Sequence, residues 1–183
     1  MTKKIIISLA VIVALAFGIL YARGLLAVHQ GMEPPPALAA LKLEKTPKAA
    51  PDVAFTDGKG TRFALSGFKG RFVLVNLWAT WCAPCVAELP ALARLTAFAP
   101  GIRVIPINMD KGEVDAGAFL KSHKVKLPVY RDSDVVMLKS FGAYGLPMTV
   151  LIDPEGKVVA KAEGPADWDA PEAVKYFKRI SGT

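Results

Sequence analysis

The feature that most constrains this chain is Trp81-Cys82-Ala83-Pro84-Cys85, which follows directly on the apolar run Phe72-Val73-Leu74-Val75-Asn76-Leu77-Trp78. An apolar run of this length suits a strand buried on both faces, and such strands belong to sheets covered by helices. Pro84 fits the first turn of a helix, where a missing N–H costs little. The cysteine pair is therefore expected where a strand ends and a helix begins. There two thiols can close a tight, reversible disulfide, and the helix N-terminus favours thiolate on the first sulfur. Cys82 and Cys85 are the only cysteines in the chain. They form no disulfide framework and read as a redox pair or as half of a metal site. A zinc site would need two further ligands, and only His29 and His123 are available, one in a tether and one on a helix.

The rest of the chain alternates strands and helices. Asp57-Gly58-Lys59-Gly60 makes a turn between extended pieces at Val53–Thr56 and Thr61–Leu65. A helix is predicted from Ala83 to Ala99, with Val86, Leu89, Leu92, Ala93 and Leu95 on its apolar side and a kink at Pro90. Ile102–Met109 reads as a second buried strand. Gly112–His123 reads as a helix, Leu127–Arg131 as a short strand and Val135–Phe141 as a short helix. Met148–Asp153 and Lys157–Glu163 make a hairpin around Pro154-Glu155-Gly156, and Pro171–Ile180 a terminal helix. This order indicates an α/β fold with a mixed central sheet flanked by helices.

Ahead of that domain, Lys3 and Lys4 precede an apolar stretch from Ile5 to Ala22, followed by Arg23. About 18 residues at about 1.5 Å each span about 27 Å, close to the hydrocarbon thickness of a bilayer. Residues 1–23 read as an uncleaved membrane anchor. A cleaved signal sequence is the alternative, since Ala22-Arg23-Gly24 has small residues at a suitable spacing. Either way the basic N-terminus stays in the cytoplasm and the domain lies outside it, in a bacterial periplasm. Residues 24–50, with Pro34-Pro35-Pro36 and Thr46-Pro47, read as a Pro/Ala-rich tether in which Ala37–Leu43 could turn into a short helix. The domain is then residues 51–183. More than half of the net charge of +7 lies in the first 50 residues. The domain is thus only mildly basic, without an Arg/Lys cluster interleaved with aromatics, and a nucleic-acid role is disfavoured.

Cys82, at the helix mouth, is the candidate nucleophile, and Cys85, one turn further in, the candidate resolving thiol. Gly145-Leu146-Pro147-Met148-Thr149 is a second motif. By pattern alone Pro147 is an ordinary trans proline before an edge strand, and Glu88 a solvated helix residue.

W-C-x-P-C after a buried strand, with G-L-P-M-T and a hairpin downstream, resembles the thioredoxin fold. The stretch Asn76 to Pro90 resembles the membrane-anchored TlpA/ResA/CcmG group, and Gly164-Pro165-Ala166-Asp167-Trp168 its TlpA branch. The resemblance covers about residues 50–183. It implies an N-terminal β-hairpin, a central βα insertion over about 112–141 that contributes to partner selection, and a redox-active Cys82–Cys85 disulfide with no cofactor and no metal. It implies a cis peptide at Pro147, with the Leu146 backbone beside the dithiol and the proline helping to bind the partner. It implies that Glu88 tunes the thiol pKa values and handles protons, in place of the aspartate that thioredoxin carries where this chain has Asn76. Trp81 is expected beside Cys82, shaping the docking surface with Pro84, and Trp168 is expected in the core.

The activity implied is that of a membrane-anchored periplasmic thiol–disulfide reductase, re-reduced by a transmembrane electron carrier of the CcdA/DsbD type; nothing in the sequence argues for a dimer, so a monomer is expected. TlpA-like proteins serve copper delivery to cytochrome oxidase, through a copper chaperone or an oxidase subunit. CcmG- and ResA-like proteins serve cytochrome c maturation, through the apocytochrome or its chaperone. Gly164–Trp168 favours the copper route. Three other readings stay open: a DsbA-like oxidant, a copper-binding chaperone and a docking domain without redox chemistry.

Overall fold

Residues 33–183, the part that the computed structural model describes, are built around one eight-stranded sheet. Its strands are Leu41–Ala49 (β1), Ala54–Asp57 (β2), Arg62–Ala64 (β3), Phe72–Trp78 (β4), Ile102–Asn108 (β5), Tyr130–Arg131 (β6), Met148–Ile152 (β7) and Lys157–Glu163 (β8). Four α-helices accompany them: Ala83–Phe98 (α1), Ala116–Ser122 (α2), Val136–Ser140 (α3) and Pro171–Ser181 (α4). The strand order is β1-β8-β7-β4-β5-β6-β2-β3. β4 runs parallel to β5 and antiparallel to β7. The parallel pair needs a crossover between its strands, and α1 supplies it. This is the mixed α/β sheet of the thioredoxin fold, with the β2–β3 hairpin and the α2–β6–α3 insertion in their expected places.

Because side chains alternate along a strand, β4 serves two layers. Val73, Val75 and Leu77 enter a cluster with Ile105, Ile107, Met148 and Val150. Leu74, Asn76 and Trp78 point to the opposite face and are equally buried. One polar residue, Asn76, thus stands in the middle of the central strand.

The expected tether ends too late. The anchor expected over residues 1–23, the first part of the tether and His29 lie outside the described residues. Among the described residues no helix is long and apolar enough to cross a membrane. Residues 36–49, however, belong to the domain. Pro36–Leu38 form a 3-10 turn, and β1 pairs antiparallel with β8. Leu38 and Leu41 are buried, each worth about 1.5–3 kcal/mol. The helix entertained over Ala37–Leu43 is therefore a turn followed by a strand. The Pro- and Lys-rich composition misleads because β1 is an edge strand that buries little beyond Leu41.

Two elements of the insertion are shorter than their patterns suggest. α2 starts at Ala116 because the Asp115 carboxylate caps it, accepting from Ala118 N at 2.8 Å. The strand expected from Leu127 shrinks to Tyr130–Arg131, since Pro128 has no N–H for a ladder. Pro90 lies inside α1 without ending it.

Candidate functional site

Cys82 is the N-cap of α1. Its backbone is extended, and its carbonyl already accepts from Val86 N at 3.0 Å. Its Sγ accepts from Cys85 N at 3.3 Å, so the first sulfur occupies the position where helical N–H groups converge. Cys82 and Cys85 are joined as a disulfide, with their Cα atoms 5.3 Å apart. Cys82 retains 5% exposure and Cys85 none.

Asp110 anchors the loop that leads into this cap. Its carboxylate accepts from Thr80 N at 3.0 Å and Thr80 Oγ1 at 3.1 Å, and from Asn108 Nδ2 at 2.6 Å. Trp78 O accepts from Met109 N at 2.8 Å. The ends of the parallel strands β4 and β5 are thereby stapled together just before Trp81, which projects 71% exposed. Sequence reading missed Asp110; the signal was a pair of polar residues, Asn108 and Asp110, at the end of a buried strand.

Glu88 is 4% exposed. Cys85, Glu88, Leu89 and Leu92 are all buried, at the i, i+3, i+4, i+7 spacing of one helical face. Glu88 is thus a carboxylate within an apolar stripe, not the solvated residue that pattern alone suggests. Its carboxyl is held by three donors from two parts of the chain, Asn76 on β4 and the Ala166–Trp168 segment after β8. Asn76 Nδ2 reaches Oε1 at 2.7 Å, Trp168 Nε1 reaches Oε2 at 2.8 Å, and Ala166 N lies 3.4 Å from Oε2. Burial pushes the Glu88 pKa above the ordinary carboxylate value, and the bonds from Trp168, Asn76 and Ala166 oppose that rise. The effect is a carboxyl brought closer to neutral pH, one helical turn beyond the inner cysteine. An open groove of about 510 Å³, lined in part by Pro84, Ala87, Ala91, Arg94 and Pro165, reaches Glu88.

The second motif folds against the same site. The Leu146–Pro147 peptide is cis. Pro147 is buried and Leu146 half-buried. Thr149 lies opposite Asn76 in the β4–β7 ladder, and its Oγ1 accepts from Asn76 Nδ2 at 2.9 Å. Gly164 N donates to Pro147 O at 3.0 Å. Gly164 has φ +98, a conformation that favours glycine. The segment Gly164–Trp168 therefore grips the proline loop at one end and Glu88 at the other. Trp168 is a core residue as expected, but its indole N–H has a polar task. Thr149 and Trp168 were not singled out for this site, because each is more than 70 residues away from its partner in sequence.

His123 is exposed and stacks on Phe119. Among the described residues no group of three or more His, Cys, Asp or Glu side chains could hold a metal ion. Two exposed residues stand close in sequence to the two motifs: Trp81 beside Cys82, and Tyr144, 99% exposed, three residues before Pro147.

The chain is similar to known proteins over most of this domain. The Redoxin family model matches residues 45–177. A thiol-disulfide oxidoreductase ResA from Bacillus thuringiensis is 33% identical over 136 residues, covering 73% of this chain and 78% of the relative. ResA from Bacillus subtilis is 37% identical over 117 residues, covering 63% of this chain and 65% of the relative. Among solved structures, the thioredoxin domain of a thiol-disulfide oxidoreductase from Bacteroides vulgatus superposes with a TM-score of 0.64 at 27% identity. That match covers 75% of this chain and 99% of that one.

Proposed function

The chain belongs to the Redoxin family and is a thiol-disulfide oxidoreductase, and from that premise we propose that it works as a reductant of specific partner-protein disulfides outside the cytoplasm. The observation that carries this reading is the buried Glu88 carboxyl, held by Asn76 and Trp168 one turn beyond Cys85. A resolving thiol must lose a proton before it attacks, and this carboxyl is the base at hand.

In the reduced form, the Cys82 thiolate attacks one sulfur of the partner's disulfide. That S–S bond breaks, a mixed disulfide with Cys82 forms, and the departing sulfur takes a proton. The Cys85 thiol gives its proton to Glu88, and its thiolate attacks the Cys82 sulfur. The Cys82–Cys85 bond closes as the partner's second sulfur leaves, and that sulfur is protonated in turn. The partner has gained two electrons and two protons, and the pair here is oxidised, the state seen in the structure. Trp81, Pro84, Leu146 and Pro147 frame the surface against which the partner segment lies. A transmembrane carrier of the CcdA/DsbD type restores the dithiol, and residues 1–23 tether the domain to the inner membrane.

For the pathway, the relatives found are named ResA, and the resemblance places ResA-like chains in cytochrome c maturation. That route is the one we favour, with an apocytochrome disulfide as substrate. Copper delivery, expected from Gly164–Trp168, gains no support from these relatives. The residues of that segment are occupied internally, with Gly164 on Pro147 and Trp168 on Glu88.

The test is the reduction potential of the Cys82–Cys85 pair in the full chain, equilibrated against dithiothreitol or glutathione. A value at or below about −230 mV fits a reductant, whereas one near about −120 mV makes the protein an oxidant and reverses the assigned direction. Mixed disulfides trapped with Cys85→Ser then separate the two pathways by the partner they hold.

A further inference from the structure

Every group that the structure places on the Glu88 carboxyl is a donor: Asn76 Nδ2, Trp168 Nε1 and Ala166 N. Such a cage suits an ionised carboxylate, which only accepts. A protonated carboxyl also carries an O–H that must donate, and none of these contacts accepts it. One buried acceptor beside it has no partner of its own, the Asn76 Oδ1. A half-turn of the Asn76 amide exchanges its oxygen and nitrogen within nearly the same shape.

We propose that Asn76 is a positioning residue that turns its amide over when Glu88 takes up a proton, with Thr149 reversing its hydrogen bond in step. In the present arrangement Nδ2 donates with both its hydrogens, to Glu88 Oε1 at 2.7 Å and to Thr149 Oγ1 at 2.9 Å. After the turn, Oδ1 accepts with both its lone pairs, from the Glu88 O–H and from the Thr149 hydroxyl. A hydroxyl serves either role, so the same three side chains satisfy both protonation states. One amide atom lacks a partner in each arrangement, the oxygen before and the nitrogen after. The unpaired group is one acceptor before the turn and an NH2 with two donors after it, so the present arrangement is the less costly one and the proton on Glu88 is what offsets the difference. Without the turn, a proton placed on Oε1 along its bond to Asn76 would face the amide hydrogens, and that hydrogen bond would be lost each time the carboxyl is protonated there.

The ionisable groups around the carboxyl do not supply an alternative acceptor. On α1 these are Cys85, on the same buried face, and Arg94, and from the loop after β8 they are Asp167 and Asp169 along the groove. Arg94 and Asp169 are paired with each other. β4 and β7 present only the neutral Asn76 and Thr149. The inference rests on the reading of Glu88 as the proton carrier for Cys85.

Asn76 and Asn108 are the only asparagines, so the full chain in detergent, labelled with 15N-asparagine, shows two side-chain amides. In the oxidised protein neither cysteine titrates. The nuclear Overhauser contact from the Asn76 amide protons to the Thr149 methyl is followed with pH, while the Glu88 carboxyl 13C signal reports its protonation. The expected result is a contact present with Glu88 ionised and lost at the same midpoint as the carboxyl titration. Thr149→Ser should keep the carboxyl midpoint, and Thr149→Val should shift it. A contact that persists while Glu88 titrates overturns the amide turn and leaves the proton-carrier reading standing. A Glu88 signal that stays flat from pH 4 to about pH 9 overturns both.

Discussion

Replacing Trp168 by phenylalanine removes one hydrogen-bond donor from Glu88 and keeps an aromatic ring in the core beside Phe177. Hydrogen bonds to charged groups contribute about 1.5–3 kcal/mol, and those between neutral groups about 0.5–1.5 kcal/mol. The part of the loss that depends on the charge of Glu88 is therefore about 1–1.5 kcal/mol, or about tenfold in its proton affinity. Ala166 N already donates to the same oxygen, but at 3.4 Å it is the longest of the three bonds and does not replace the indole. Burial already raises the Glu88 pKa and the donors restrain it, so losing one lets it climb further. A carboxyl with a raised folded-state pKa contributes stability that is complete below the unfolded pKa and is lost as pH rises through the folded one. Near pH 4 the destabilisation of Trp168→Phe should therefore consist of the packing change and the neutral hydrogen bond, the latter about 0.5–1.5 kcal/mol. It should grow by about 1–1.5 kcal/mol towards pH 8. Denaturant unfolding of both proteins across that range measures it. An equal loss at every pH would show that the indole N–H favours the carboxylate no more than the neutral acid, and the reasoning would fail.

Glu88→Gln should abolish the decline in stability with rising pH that Glu88 causes above the ordinary carboxylate range. It should also slow the resolution step, read as longer-lived mixed disulfide with a model substrate in stopped-flow quenching. Tyr144→Ala should change stability by no more than about 0.5 kcal/mol, since the side chain is solvated. Exposed three residues before Pro147, Tyr144 should contribute to docking, so the variant should lower kcat/KM for a protein disulfide while leaving the rate with dithiothreitol unaltered; rates unchanged on both would show that Tyr144 takes no part in docking. A chain begun at residue 51 should lose at least about 3 kcal/mol relative to one begun at residue 34, because burial of Leu38 and Leu41 goes with β1. Equal denaturation midpoints would restore the tether boundary at residue 50.

What the sequence disclosed follows the range of the interactions involved. The strand, the cysteine pair and the helix over residues 72–98 are contiguous, and local patterning defined them. Glu88 was identified through resemblance, although its place between Cys85 and Leu89 on one helical face marks it as buried on physical grounds. Asn76 was noticed as a departure from thioredoxin, but its partners were not. Thr149 meets it across a strand pairing, and Trp168 reaches Glu88 from a loop beyond the last strand. Neither registers in any short window. β1 was hidden for a different reason: an edge strand that buries one end and exposes charge along the rest has the composition of a spacer.

The double grip of Gly164–Trp168 limits how this chemistry can be transplanted. Grafting Trp81–Glu88 onto another thioredoxin scaffold would move the sulfurs and the carboxyl but leave behind the indole that holds the carboxyl in place. A five-residue stretch about 80 positions downstream would have to travel with it, glycine included, since its backbone also holds the carbonyl of Pro147. In this domain the portable unit is three separate pieces of chain, Asn76 on β4 included, and moving the cysteine helix alone should yield a protein with a dithiol and a carboxyl stripped of its donors.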